Sequence, residues 1–198
     1  MARLAEGAGT PPADGPPNLL IGGPVRCGKS TVARAVAART GMVVLPTDVI
    51  DRRFCTGIPD AQQAPILVPV LTGLLLRHPR GLILEGVQIL ERARWVVSLA
   101  RARGHPVHAI GYARGRVADK LAHLLAHRAT GECWTLAAGL DEAALREQAA
   151  TILDVSRDLR AAAPRLGLTY HELDSADFAA EAERIAARIA ADLARPAA

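Results

Sequence analysis

The stretch Gly23-Pro24-Val25-Arg26-Cys27-Gly28-Lys29-Ser30-Thr31 carries the spacing G-x-x-x-x-G-K-S. This is the phosphate-binding loop, or Walker A, pattern, and each fixed position has a physical job. Gly23 and Gly28 reach backbone conformations closed to other residues. They let successive N–H groups turn inward and form a concave nest for a polyphosphate. Lys29 supplies a point charge to the outer phosphates, and Ser30 a hydroxyl for magnesium. The apolar run Asn18-Leu19-Leu20-Ile21 before the loop reads as a buried strand. Lys29 to Arg39 after it reads as a helix with Val32 and Val36 inward. The helix N-terminus then adds its partial positive charge to the anion site. Such a chain binds a nucleotide through Gly23, Pro24, Val25, Arg26, Cys27, Gly28, Lys29, Ser30 and Thr31.

Further strands are expected at Met42–Leu45, Gly81–Gly86, Pro106–Tyr112 and Leu168–Leu173. Helices are expected at Asp48–Phe54, Ile66–Arg77, Ile89–Arg103, Arg114–Arg128, Asp141–Ala162 and Ser175–Ala194. Strands alternating with helices give an α/β fold, a largely parallel sheet covered on both faces. With only 3% aromatic residues, its core must be built from Leu, Val, Ile and Ala, Trp95 among the few aromatics offered to it. Residues 1–17, rich in Gly, Pro and Ala, read as a disordered or loosely attached tail, and 18–198 as one domain. The net charge of +4 is mild and without a basic run, which suits phosphorylated small molecules and not a nucleic-acid backbone. No apolar run reaches the ~20 residues of a membrane span. The three scattered cysteines form no metal or disulfide framework, so a cytoplasmic protein, monomer or homodimer, is expected.

In parallel sheets the ligand sits at the carboxyl ends of the strands, which singles out a few polar residues. Asp48 ends the second strand. There it is placed to accept a proton from an acceptor hydroxyl or to help hold magnesium, the alternative being a helix cap. Asp51, one turn on, and Arg52 and Arg53 offer groups for an acceptor, or pair among themselves. Glu85 closes the third strand in the Walker B manner, as a magnesium partner to Ser30 beside the acceptor. Arg114 and Arg116, with Lys120 and Arg128, flank or lie on the helix after the fourth strand. Arginines there can stabilise charge on a transferring phosphoryl group, or simply line a solvated face. His123 and His127 have a metal-compatible spacing without a third ligand. Trp134 is either a stacking platform or an anchor for a loop.

The sequence I-G-G-P-V-R-C-G-K-S-T, Thr47-Asp48 after strand two and L-I-L-E-G at strand three together resemble the P-loop small-molecule kinases. Uridine kinase-like, shikimate kinase-like and phosphoglycerate kinase-like relatives are the comparison. The stretch Ala109 to Thr135 is similar to uncharacterised kinase-like proteins of that group. The resemblance implies a P-loop NTPase three-layer sandwich: a five-stranded, mostly parallel sheet, helices on both faces, and a small helical lid at about 113–140. It implies ATP and magnesium as cofactors and γ-phosphate transfer to a hydroxyl of a nucleoside, sugar, antibiotic or coenzyme precursor. Asp48 would be the acceptor-side base and Lys29, Arg114 and Arg116 would act on the phosphates. The D-G-F-P-R stretch of adenylate kinases is absent, which argues against a nucleoside monophosphate as acceptor. An NTP-hydrolysing regulatory or assembly protein is the alternative; the missing N-K-x-D motif weakens a GTPase.

Overall fold

The computed structural model describes residues 15–59, 62–78, 80–91, 94–128, 139–173 and 177–194. The strands are β1 (Leu19–Gly22), β2 (Val43–Pro46), β3 (Leu82–Glu85), β4 (Val107–Gly111) and β5 (Thr169–Glu172). The helices are α1 (Lys29–Thr40), α2 (Thr47–Phe54), α3 (Ala64–Arg77), α4 (Gln88–Glu91), α5 (Arg94–Ala102), α6 (Val117–Arg128), α7 (Glu142–Leu166) and α8 (Phe178–Leu193). All four strand pairings are parallel, in the order β2-β3-β1-β4-β5. The first strand is therefore central. The chain leaves it toward one edge and later crosses to the other, which opens a crevice at its carboxyl end.

Side-chain alternation along the three inner strands sorts the core into two layers. Leu19, Ile21, Ile83 and Ile110 pack beneath α1, α6, α7 and α8. Leu20, Leu82, Leu84, Val107 and Ala109 pack against α3, α4 and α5. The outer strands depart from the expectation of uniformly buried runs. β2 is an edge with Val43 66% exposed, and β5 is the opposite edge, with Thr169 exposed.

Several boundaries moved for identifiable reasons. α3 begins two residues early because Pro65 fits the first turn, where its missing N–H has no partner to lose. It runs on through Pro69 because Leu67, Leu71 and Leu75 bury one continuous stripe. The helix expected over Ile89–Arg103 is two pieces, α4 and α5. In α5 the inward positions are Val96, Val97 and Ala100, and Trp95, expected in the core, is 56% exposed. α7 starts as expected, with the Asp141 carboxylate accepting from Ala144 N at 2.8 Å, but continues past Pro164 to a left-handed cap at Gly167. Asp177 caps α8; Ser175, expected in that role, lies outside the described residues. Of the expected tail, Gly15–Pro17 lies along Arg80 and Gly81, where Gly81 N donates to Pro16 O at 2.9 Å. Residues 1–14 lie outside the description.

One polar pair lies within the first layer. His108 on β4 and His171 on β5 are buried, with Nδ1 and Nε2 2.8 Å apart in a hydrogen bond and the rings stacked. Burial, and then the neighbouring ring, holds His108 down to about 3. Burial and then Arg188 hold His171 down to about 4, against the opposing pull of Asp192.

Two outcomes follow from this packing. Leu71→Ala should cost about 2–5 kcal/mol by opening a cavity, whereas Trp95→Ala should change stability by only about 0.5 kcal/mol; urea titrations of both variants check this. The histidines bind protons more readily unfolded than folded. Stability should therefore be full above the ordinary value of 6.5 and decline as pH falls below it. His108→Leu, though weaker at neutral pH, should show a shallower acid decline in the same titration.

Candidate active site

The turn between β1 and α1 is held in shape by three left-handed residues: Gly23 at φ 148°, Arg26 at φ 58° and Gly28 at φ 91°. A Cβ on Gly23 would sit 2.2 Å from the Ile110 carbonyl oxygen, so strand packing alone demands glycine there. A Cβ on Gly28 would meet Leu173 at 2.7 Å and Phe178 at 2.9 Å. Arg26 adopts the left-handed region without glycine's freedom, at a cost of roughly 1–2 kcal/mol. The compensation comes from α6. The buried Lys120 ammonium donates to Arg26 O at 2.7 Å and lies 3.8 Å from the centre of the Tyr112 ring.

Lys120 was expected on a basic helix face. It is instead 1% exposed beneath the loop. A signal for it existed in the sequence: the chain has two lysines, Lys29 and Lys120, every other such cation being arginine. Burial brings the Lys120 ammonium down to about 8, Arg26 and Lys29 pushing the same way and Cys27 opposing. Lys29 is buried too, its ammonium donating to Pro24 O at 2.8 Å across the loop.

Strand ends bring the carboxylates in. Pro46 is in register with Glu85, and Ile21 with Glu85 on the other side, so β3 delivers its acid between the loop and β2. Ser30 Oγ donates to Glu85 Oε1 at 3.0 Å, joining the expected magnesium pair. Burial raises the Glu85 pKa; Lys29 and the Ser30 bond lower it, and Asp48 raises it. Asp48 thus shares the electrostatic field of Glu85 from the first turn of α2. Thr31 is half-buried in the first turn of α1. The Asp51 and Arg52 backbones lie in α2, their side chains outside the described residues, and Arg53 is exposed.

The arginines after β4 lie at the surface. Arg114 is exposed, and its N–H donates to Glu172 Oε1 at 2.8 Å. The Arg116 guanidinium forms two bonds to Asp119, at 2.8 and 2.9 Å, with its side chain 81% exposed. Both line a cleft of about 420 Å3 with Gly115, Asp119, Glu172 and Leu173. On the other flank, Pro24 and Val25 of the loop, Val87 after β3 and one face of α7 enclose a cleft of about 500 Å3. The His123 ring packs on Phe178 at 4.9 Å, a structural role. The His127 and Arg128 side chains, Trp134 and most of the loop part of the expected lid lie outside the described residues. Among the described residues no group of three or more His, Cys, Asp or Glu has the arrangement of a metal cluster, and no helix is long and apolar enough to cross a membrane.

No protein-family model and no curated protein sequence matches the chain. Solved structures do. A shikimate kinase from Acinetobacter baumannii, determined in complex with shikimate, aligns at TM-score 0.58 and 18% identity. The alignment covers 90% of this chain and 96% of that one. A gluconokinase from Sinorhizobium meliloti 1021 aligns at TM-score 0.52 and 21% identity, over 90% and 95% of the two chains. Both are P-loop small-molecule kinases, and the chain has their fold: a P-loop NTPase α/β sandwich with an all-parallel five-stranded sheet.

If Lys120 fixes the loop, Lys120→Met should weaken binding of a non-hydrolysable ATP analogue on the order of tenfold. Wild-type affinity should also fall as pH rises through about 8, and the variant should lose that dependence. Titration calorimetry at pH 7 and pH 9 checks both.

Proposed function

We propose that the chain is an ATP-dependent kinase that phosphorylates a hydroxyl group of a small molecule. The observation that carries this reading is the convergence of Lys29, the Ser30–Glu85 pair and Asp48 on one left-handed loop, at the carboxyl ends of β1, β3 and β2. The fold shared with two small-molecule kinases supports it.

In this reading the loop amides and Lys29 hold the β- and γ-phosphates of ATP, and the N-terminus of α1 adds its dipole. Ser30 and Glu85 supply a hydroxyl and a carboxylate, the oxygen donors that magnesium takes. Magnesium, when bound, neutralises charge between the phosphates. Asp48 receives the proton as the acceptor oxygen bonds to the γ-phosphorus and the bond to the bridging oxygen of ADP breaks. Asp51 and Arg52 follow Asp48 on α2. The cleft bordered by Arg114, Glu172 and Leu173, next to Gly28, receives the nucleoside end of ATP. Arg114 and Arg116 stand at its mouth. The Arg116–Asp119 pair is solvent-exposed and opens at little cost, which leaves Arg116 free to turn toward a phosphate.

The alternative, an NTP-hydrolysing regulatory or assembly protein, would need Asp48 only as a helix cap. Asp48→Asn keeps size and removes the proton acceptor. It should leave Mg-ATP affinity near wild type and lower phosphoryl transfer by about 10²–10⁴. Glu85→Gln should instead raise the magnesium concentration required for half-maximal activity. ADP formation is followed while magnesium, ATP and an acceptor panel are varied. Acceptor-independent ADP formation that survives Asp48→Asn would favour the hydrolase.

A further inference from the structure

The cleft on the α7 side of the loop has a largely apolar lining with a few polar groups. It begins at Pro24 and Val25, the outer rim of the phosphate loop, and is bounded by Val87, two residues beyond Glu85. A molecule in it lies beside the phosphate end of the loop, on the opposite flank from the cleft at Arg114. Its far wall is α7, which presents Ala144, Ile152 and Val155 together with Glu147, Gln148 and Thr151. The described wall includes no lysine or arginine, and its one charge is negative.

One polar atom at this wall has an unmet need. Gln148 Oε1 is buried and has no hydrogen-bond partner among the described residues. A buried carbonyl oxygen without a donor is unfavourable, and a ligand that brings an O–H or N–H removes that cost. An anionic ligand does the opposite. Its carboxylate or phosphate would be desolvated against valines and a glutamate, with no cation among the described lining residues to replace the lost water.

We infer that the acceptor of this kinase is an alcohol with an apolar body and no anionic group, neutral or cationic, which donates a hydrogen bond to Gln148. The inference rests on the kinase reading above for the word acceptor, but the ligand preference of the cleft is measurable without catalysis. Selectivity comes from two sources. The apolar wall rewards buried hydrocarbon, and the pairing of Gln148 with Glu147 rewards a donor and repels an anion. Carboxylated or phosphorylated polyols of the same volume meet neither condition.

Three probes share a phenyl ring, a three-carbon chain and a hydroxyl, and differ in charge: phenylpropanediol is neutral, phenylalaninol cationic and phenyllactate anionic. Binding of each to the full chain, saturated with magnesium and a non-hydrolysable ATP analogue, is measured by calorimetry. The neutral and cationic probes should bind at least about tenfold more tightly than phenyllactate. Gln148→Leu should lower their affinity severalfold while nucleotide affinity stays unchanged. Gln148→Arg should reverse the order in favour of phenyllactate. Equal binding of all three, tighter binding of phenyllactate to the wild type, or no saturable binding of any, as expected if the cleft seats only the chain's own residues, would overturn the inference. The same probes with ATP then report separately on the kinase reading. A cleft with the stated preference whose bound alcohols are never phosphorylated would retain the ligand class and remove the activity.

Discussion

The arrangement of the site depends on the backbone of one turn. Three residues within Gly23–Gly28 are held at positive φ, and nothing about that shape is favourable in an isolated peptide. It persists because its surroundings allow no other. Gly23 is pressed against the Ile110 carbonyl of the neighbouring strand, Gly28 against Leu173 and Phe178, and Arg26 is tied by its carbonyl to Lys120. The sheet, α6 and α8 each contribute one restraint, so a local motif is stabilised by three distant pieces of chain.

That dependence explains the distribution of buried charge. Lys29, Glu85 and Lys120 are all buried near the loop, where an ion without partners would be costly. Each has compensation: Lys29 a carbonyl of the loop, Glu85 a serine hydroxyl and the field of Lys29, Lys120 a carbonyl and an aromatic face. Two ammonium groups under one turn also place positive potential where a polyphosphate would lie. The carboxylates Glu85 and Asp48 come in at the ends of β3 and β2, so charges of both signs meet around the loop.

The two clefts differ in chemistry. One is bordered by Arg114, Arg116, Asp119 and Glu172, charged groups around a polar opening. The other is walled by valines, isoleucine and the glutamine and glutamate of α7. The two clefts share no lining residue, and only the second touches the phosphate loop directly, at Pro24 and Val25.

The sequence determined what depends on local chain geometry. The loop spacing, the apolar strands before it and before Glu85, and the helical repeats are short-range patterns, and they were enough to predict the parallel α/β sandwich and to put Lys29, Ser30, Asp48 and Glu85 at the starts of helices and the end of a strand around the loop. Tertiary structure decided what depends on which strand lies beside which. Val43 and Leu20 read alike in the sequence as residues of apolar strands. Only the order β2-β3-β1-β4-β5 makes one an edge residue and the other a central one. Trp95 reads as core because it is large and apolar, yet α5 turns Val96, Val97 and Ala100 inward. Lys120 is 94 residues from Arg26 along the chain, and no periodicity could announce their bond. The lining of the cleft at Pro24 and Val25 is decided in the same way: α7 reaches the loop only because it packs across β4 and α6, and its side chains, not the motif, form the cleft's far wall.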